Sequence, residues 1–172
     1  MAIIIDTNCF ANVFSRKSEK HEDFKPVLDW ILYGKGFMIY GGDKYKEELK
    51  KAPKYLKLIN LLKNVGKVHI GNDQKINAKQ AEIDKDNTDK LFNDTHILSI
   101  CLETKCILIC SEDTTSIPFI TNPKYFKRGE TKPAFYTSSR NKSILCDNYV
   151  NDIHKPLCKI NRALAEKIES TL

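Results

Sequence analysis

The sequence predicts a three-layer α/β/α fold around a central, mainly parallel sheet of about four to five strands. Short apolar and β-branched runs alternate with longer stretches of helical periodicity, as in repeated strand–helix–strand units. Glycines fall between these stretches, where turns are required. The 172 residues suffice for one core, and 41% of them are hydrophobic and 29% charged, which is typical of a folded domain. We therefore predict one domain over residues 1–172.

The predicted elements follow one another in a regular order. Four strands are expected at residues 2–5, 37–40, 68–70 and 106–110. Helices are expected near 8–15, 22–33, 43–63 with a break at Pro53, 73–84, and 88–104 with Thr88 as its cap. After Cys110 the pattern loosens, and a fifth strand is expected at 134–137 and a last helix near 156–170. The apolar residues of that helix predict packing on the domain or on a partner subunit: Leu157, Ile160, Leu164 and Ile168.

The net charge of +6 is concentrated towards the end of the chain. Residues 1–120 carry 18 basic and 17 acidic side chains, whereas residues 121–172 carry 10 basic and 5 acidic ones. We therefore distinguish a core of about residues 1–125 from a basic extension of about 126–172 packed on it. An acidic partner, most commonly nucleic acid, is expected for such an uneven charge, although a solvated basic surface is the alternative.

Several classes of protein are disfavoured by the sequence. No apolar run approaches the roughly 18 residues of a membrane span, so we expect a cytoplasmic protein without membrane association. The six cysteines show no CxxC spacing and are expected to be reduced, buried thiols. Phosphate-binding and dinucleotide-binding glycine motifs are absent. A dehalogenase-type phosphatase would need a second aspartate where Asn8 stands, and for His96 a surface or hydrogen-bonded role is favoured over metal ligation.

Two aspartates follow predicted strands. Asp6 comes directly after residues 3–5, and Asp113 follows residues 106–110. Because ligands of parallel α/β sheets bind where the strands end, both carboxylates are candidate functional groups. Helix capping is the alternative role for each of them.

Asp94 is placed by the predicted helix 88–104 on an apolar stripe. At about 100° per residue from Leu91, Asp94 lies between Leu98 and Cys101, whereas Asp89 lies on the opposite side. A carboxylate facing a core requires a partner such as a cation, with a buried salt bridge as the alternative. Asp94 is therefore a third candidate.

The segment 45–51 supplies a fourth carboxylate, for which Glu47 and Glu48 compete. On the helix that starts near Asp43, Glu48 borders the face formed by Tyr45 and Leu49, whereas Glu47 points to solvent with Lys51 one turn later. We predict Glu48. Four clustered carboxylates without His or Cys favour Mg²⁺ or Mn²⁺, which can activate water at a phosphoryl group.

Four segments in this order resemble the PIN-domain ribonucleases over roughly residues 1–125: IIIDTN at 3–8, YKEEL at 45–49, NDTHIL at 93–98 and CSED at 110–113. The resemblance implies that Asp6, Glu48, Asp94 and Asp113 bind one or two Mg²⁺ or Mn²⁺ ions and catalyse hydrolysis of RNA, with Asn8 and Ser111 in support. Ser116 stands where many members have another acidic residue, so the number of metal ions stays open. A PIN-like scaffold or RNA-binding module without turnover is the alternative function.

Basic and aromatic residues alternate after position 123, which suits single-stranded RNA. The candidate RNA-binding cations are Lys124, Lys127, Arg128, Lys132, Arg140 and Lys142. The aromatic residues among them are Tyr125, Phe126, Phe135 and Tyr136, for which a place at the edge of the core is the alternative. An antitoxin or other partner protein and a second copy of the chain are the candidate protein partners.

Overall fold

The structure, a computed structural model, describes residues 2–146, 154 and 159–172. Five strands form one sheet in the order β3-β2-β1-β4-β5, and every neighbouring pair is parallel. The strands are β1 Ala2–Ile5, β2 Phe37–Tyr40, β3 Val68–Ile70, β4 Leu108–Cys110 and β5 Ala134–Tyr136. The predicted three-layer α/β/α fold is confirmed, with five strands that are all parallel.

Helices flank this sheet and connect its strands. The α-helices are α1 Phe10–Phe14, α2 His21–Leu32, α3 Asp43–Lys50, α4 Pro53–Asn64, α5 Asp73–Asp86, α6 Thr95–Thr104, α7 Ile117–Ile120 and α8 Arg162–Glu169. Shorter 3₁₀ helices cover Thr7–Cys9, Pro123–Tyr125 and Ser139–Ile144. The expected break at Pro53 is present, because proline begins α4 where it needs no hydrogen bond to the preceding turn.

The prediction of a helix over 88–104 is wrong for its first seven residues. The side chains of this segment bond to its own backbone: Asn87 Oδ1 accepts from Asp89 N, and Asp89 Oδ1 accepts from Leu91 N. Such local turns compete with helical hydrogen bonds. As a result α6 begins only at Thr95, and Leu91 is 75% exposed.

Smaller differences concern other ends of elements. The strand expected from Cys106 begins at Leu108, and the helix expected near 8–15 divides into the 3₁₀ turn Thr7–Cys9 and α1. At the C-terminal end, residues 159–161 are not helical, and Asn161 caps α8 by accepting a hydrogen bond from Leu164 N. Residues 155–158, and with them Leu157 of the expected apolar stripe, lie outside the described part of the chain.

The centre of the sheet is fully apolar and buried. All of β1, β2 and β4 is buried, as expected for strands covered by helices on both faces. Strands β2 and β3 lie on one side of β1, and the chain then crosses over so that β4 and β5 lie on the other side of β1. The order therefore reverses between β1 and β4, which are paired through Ile5 and Cys110. We call the edge where the strands end the carboxyl edge.

Two further findings concern the membrane and the thiols. No helix in the described ranges is long and apolar enough to cross a bilayer. Cys9, Cys101, Cys106 and Cys110 are buried free thiols, and Cys146 is a half-buried one. Cys158 lies outside the described residues.

Candidate active site

Asp6 lies at the point of the sheet where the strand order reverses. Asp6 directly follows β1 at the carboxyl edge, and its backbone N–H donates to Cys110 O at 2.9 Å. Asp6 is only 5% exposed. Ser111 Oγ donates to Asp6 Oδ2 at 2.8 Å, and the backbone N–H of Asn8 is 3.4 Å from Oδ1. Burial raises the pKa of Asp6 despite these two donors. Ser111 thus contacts Asp6 directly, whereas the Asn8 side chain is exposed.

Asp113 follows β4 at the same edge. Its backbone N–H donates to Ser111 Oγ at 3.1 Å, so one serine hydroxyl joins the segments of Asp6 and Asp113. The Asp113 carboxylate accepts from the backbone N–H and the hydroxyl of Thr115 through Oδ1. Ser116, which is buried, donates to Asp113 O and so shapes this turn.

Asp94 reaches the site by a different route from the one predicted. It is the N-cap of α6 with φ −93° and ψ 33°, so it does not lie on a helical stripe, and that argument from the sequence is wrong. It is nevertheless half-buried. Burial and the nearby charges of Asp6 and Asp113 raise its pKa, which places these three carboxyl groups in one electrostatic environment. Among the described residues, its carboxylate accepts no hydrogen bond.

Glu48 comes from α3 and is half-buried, whereas its neighbour Glu47 is exposed. Thr7 Oγ1 donates to Glu48 Oε2 at 2.7 Å, and His96 Nε2 lies 3.5 Å from the same oxygen. The His96 imidazole, and with it the Thr7 hydroxyl, lowers the pKa of Glu48 to about 2 against the effect of burial. At 3.5 Å the contact with His96 is long for a hydrogen bond and is best described as electrostatic.

His96, Thr7 and Lys44 are site residues that the sequence analysis did not identify. His96 is 3% exposed rather than on the surface, and within the described part of the chain neither ring nitrogen has a hydrogen-bond partner. Lys44 Nζ donates to Asn93 O at 2.8 Å, and its charge opposes the rise in the pKa of Asp94 and contributes to the fall in the pKa of Glu48. Two of these residues could have been found from their positions in the sequence, because Thr7 is next to Asp6 and His96 is in the first turn after Asp94.

The chemistry of the four carboxylates fits a hard divalent cation, since all the donors are oxygen atoms. The positions of these carboxylates, however, do not yet form a metal site. Considering the described residues alone, no three side chains of His, Cys, Asp or Glu are placed to hold one metal ion as they stand. Asp6, Glu48 and Asp113 are instead hydrogen-bonded to Ser111, Thr7 and Thr115. These carboxylates would therefore have to rotate to bind a shared ion.

The six candidate RNA-binding cations are all exposed but do not lie together. Arg140 and Lys142 belong to the 3₁₀ helix that follows β5, at the carboxyl edge. Lys127, Arg128 and Lys132 precede β5 instead. Glu130, to which the Lys127 N–H donates, pairs with Lys105 at the end of α6 and so lies towards the opposite edge. Lys124 precedes both groups in the chain and belongs to the 3₁₀ helix Pro123–Tyr125.

Two of the four aromatic residues proposed for RNA stacking are part of the core. Phe135 is 9% and Tyr136 0% exposed within β5, and Tyr136 Oη donates to Asp23 O at 2.7 Å. Their rings are therefore closed to a base. Tyr125 and Phe126 remain half-buried.

Comparisons of the chain with protein-family models, with curated proteins and with solved structures find no match.

Proposed function

We propose that this protein is a PIN-like, Mg²⁺- or Mn²⁺-dependent endoribonuclease that hydrolyses phosphodiester bonds of single-stranded RNA. One observation carries the proposal: Asp6, Glu48, Asp94 and Asp113 come from four separate segments, and at the place where the order of the strands reverses Asp6 lies within the field of Glu48, and Asp94 within the fields of Asp6 and Asp113. In open parallel sheets this is the place where ligands bind. Four acidic groups at such a place repel one another, and a bound cation removes that repulsion.

The raised pKa values of Asp6 and Asp94 support a cation site. Both aspartates lose hydration through burial, and each lies within the field of another carboxylate, Glu48 for Asp6 and Asp6 for Asp94. A structural salt bridge would satisfy such groups, but among the described residues neither Asp6 nor Asp94 forms one, and Lys44 Nζ donates to the Asn93 carbonyl. The two aspartates are thus not paired with a lysine or arginine of the described residues, which is the condition that favours uptake of a divalent ion.

Each residue has a role in this proposal. Asp6, Glu48, Asp94 and Asp113 would hold the ion, which would activate water and neutralise charge on the phosphoryl oxygens. Ser111 orients Asp6, and Thr7 and His96 orient Glu48. Lys44, Arg140 and Lys142 lie at the carboxyl edge and would contact RNA phosphates there. We also propose a cytoplasmic location, in keeping with five described cysteines that are all free thiols.

The test is cleavage of labelled single-stranded RNA by the full chain in Mn²⁺, in Mg²⁺ and in EDTA. We expect cleavage with either metal and none in EDTA, and the Asp94→Asn variant should be inactive under all three conditions. Cleavage that persists in EDTA, or an Asp94→Asn variant as fast as wild type, would refute the metal mechanism. The variant also controls for a contaminating nuclease, since the same preparation would carry it.

A non-catalytic RNA-binding module is the second candidate function. It is favoured by the spacing of the site, where no three described side chains are ready to hold a metal ion as they stand. This alternative predicts that the wild-type chain binds single-stranded RNA equally well in EDTA and in Mn²⁺ and leaves it intact in both. The cleavage assay therefore separates the two candidates.

A further inference from the structure

A pocket of about 170 Å³ opens beside the loop that leads into Asp94. We call it the loop pocket. Its lining includes residues 86–89, which we call the polar side, and a second set, which we call the aromatic side: Phe92, Phe119, Asn122, Lys124 and Tyr125. Phe92 is two residues from Asp94 in the sequence, so the pocket adjoins the candidate active site. The proposed function does not use it.

The aromatic side of the loop pocket is built from rings that contact other side chains. Phe92 and Phe119 are stacked, with ring centroids 5.2 Å apart and an angle of 9° between the planes, and Phe92 is only 4% exposed. Tyr125 is half-buried, and Lys124 Nζ lies 4.7 Å from the centroid of its ring. Lys124 is exposed and forms no ion pair with any residue the structure describes. It can therefore move aside and leave the tyrosine ring to a flat ligand.

The polar side of the loop pocket is fixed by its own hydrogen bonds. Asn87 Nδ2 donates to Phe92 O at 2.8 Å, and Asn87 Oδ1 accepts from Asp89 N at 3.1 Å. Asp89 Oδ1 accepts from Leu91 N at 2.9 Å, which orients the Asp89 carboxylate and leaves its Oδ2 atom without a hydrogen bond from the described residues. The pocket thus presents a preformed acceptor beside aromatic rings.

The combination selects a class of ligand. A flat ring that stacks on tyrosine and donates hydrogen bonds to a carboxylate is a nucleobase, and unpaired RNA bases are recognised in this way. The acidic side chains of Asp86 and Asp89 disfavour a phosphate in the pocket itself. Among the four bases, guanine presents two adjacent donors, its ring N–H and its amino group, to a carboxylate that only accepts.

We propose that the loop pocket binds an unpaired guanine of the RNA strand, next to the phosphate that occupies the carboxylate site. The inference rests on the proposed function, because that function supplies the RNA substrate. Asp89 reads the guanine edge, and Tyr125 stacks on its face. Cleavage would then occur at a fixed distance from guanosine.

The test uses the full chain with Asp94→Asn in EDTA, so that neither cleavage nor metal affects binding. The probes are labelled hexauridine RNA and its three variants with one central G, A or C, followed by fluorescence anisotropy. We expect the G-containing RNA to bind at least about tenfold more tightly than the other three. Adding Asp89→Asn should abolish this preference, since the amide keeps the acceptor for Leu91 N–H and replaces the free oxygen with a donor.

Control variants test whether the preference for G depends on the loop pocket. Asp84→Asn, on the exposed surface of α5 outside the pocket, removes the same charge and should keep the preference for G. Tyr125→Leu keeps an apolar side chain and should weaken binding of the G-containing RNA by roughly tenfold, whereas Tyr125→Phe should bind like the parent. Equal binding of all four RNAs, or a G preference that survives Asp89→Asn, would overturn the proposal.

The outcomes for the pocket and for the active site are separable. RNA cleavage by the wild-type chain without any base preference would leave the proposed function standing and refute the loop pocket. Selective binding of the G-containing RNA by a chain that never cleaves would refute the nuclease and support a binding module that reads guanine.

Discussion

The carboxylate of Glu48 accepts a hydrogen bond from Thr7 and lies beside His96, whereas that of Asp94 accepts none from the described residues. The same edge of the sheet therefore affects the two groups in opposite directions. The pKa of Glu48 falls to about 2, and that of Asp94 rises above its ordinary value of 3.8. Ionised Glu48 stabilises the native state, and ionised Asp94 destabilises it.

The first prediction at this scale concerns Asp94. Because its pKa is raised on folding, the native state binds more protons, and its unfavourable contribution grows as the pH rises above about 3.8. Asp94→Asn should therefore raise the thermal midpoint at pH 7 in EDTA, on the order of 1–3 °C. The gain should vanish near pH 3, where the wild-type aspartate is protonated. Thermal unfolding of wild type and Asp94→Asn at both pH values tests this prediction. A large loss of stability in the variant would instead indicate that Asp94 forms a buried salt bridge.

Glu48 has the opposite dependence on pH. Its favourable contribution is complete above about pH 4.5 and is lost as the pH falls towards 2. Glu48→Gln should cost about 1–2 kcal/mol of unfolding free energy at pH 7, because it weakens the interactions with Thr7 and His96. Denaturant titrations of the two proteins at pH 7 and pH 3 should show a smaller difference at pH 3, where part of this contribution has been lost.

The choice of Glu48 over Glu47 is a third prediction. Removing a metal ligand through Glu48→Gln should lower the cleavage rate by roughly 100-fold or more. The matched variant Glu47→Gln lies on the exposed face of α3 and should stay within about twofold of wild type. Rates of the two purified variants on one RNA substrate make the comparison. A slower Glu47→Gln would show that the other glutamate is the ligand.

The elements near β5 predict which cations contact RNA. Arg140 and Lys142 follow β5 at the carboxyl edge, whereas Lys127 and Arg128 precede it. Alanine at both 140 and 142 should reduce the slope of log affinity against log salt by about 1.4, the value for two lost phosphate contacts with a single strand. The pair Lys127→Ala and Arg128→Ala should change the slope less. Binding of hexauridine to the inactive chain over a range of salt measures both, and the reverse order would place the RNA at the other edge.

The secondary-structure elements differ in how well their positions can be predicted from the sequence. The three central strands were predictable, because buried parallel strands are nearly continuous apolar runs. The edge strands β3 and β5 are only partly buried, and their short apolar runs were sufficient to indicate them. The start of α6 was not predictable, because Asn87 and Asp89 form local turns that the apolar pattern does not encode. The helical angles counted from Leu91 therefore do not apply, because residues 88–94 are not helical. Asp94 was selected for a reason that does not hold, and it still lies within the field of Asp6.

At the scale of the whole molecule, the order of the strands brings the candidate site together. Asp6 and Asp113 were predictable from their position after strands, and their proximity requires that β1 and β4 be neighbours. The contacts of His96 and of the loop pocket depend on how α3, α6 and α7 pack, and no local pattern of residues specifies that packing. Chemistry-bearing residues were therefore easier to predict than the side chains around them.

The central claim is that these carboxylates hold one divalent cation, and a titration of the wild-type chain with Mn²⁺, followed by calorimetry, tests it most directly. We predict saturable binding that Asp6→Asn and Asp113→Asn each weaken by roughly tenfold or more, while Asp84→Asn on α5 leaves it unchanged. No saturable binding to the wild-type chain, or equal affinity in all four proteins, would contradict the account.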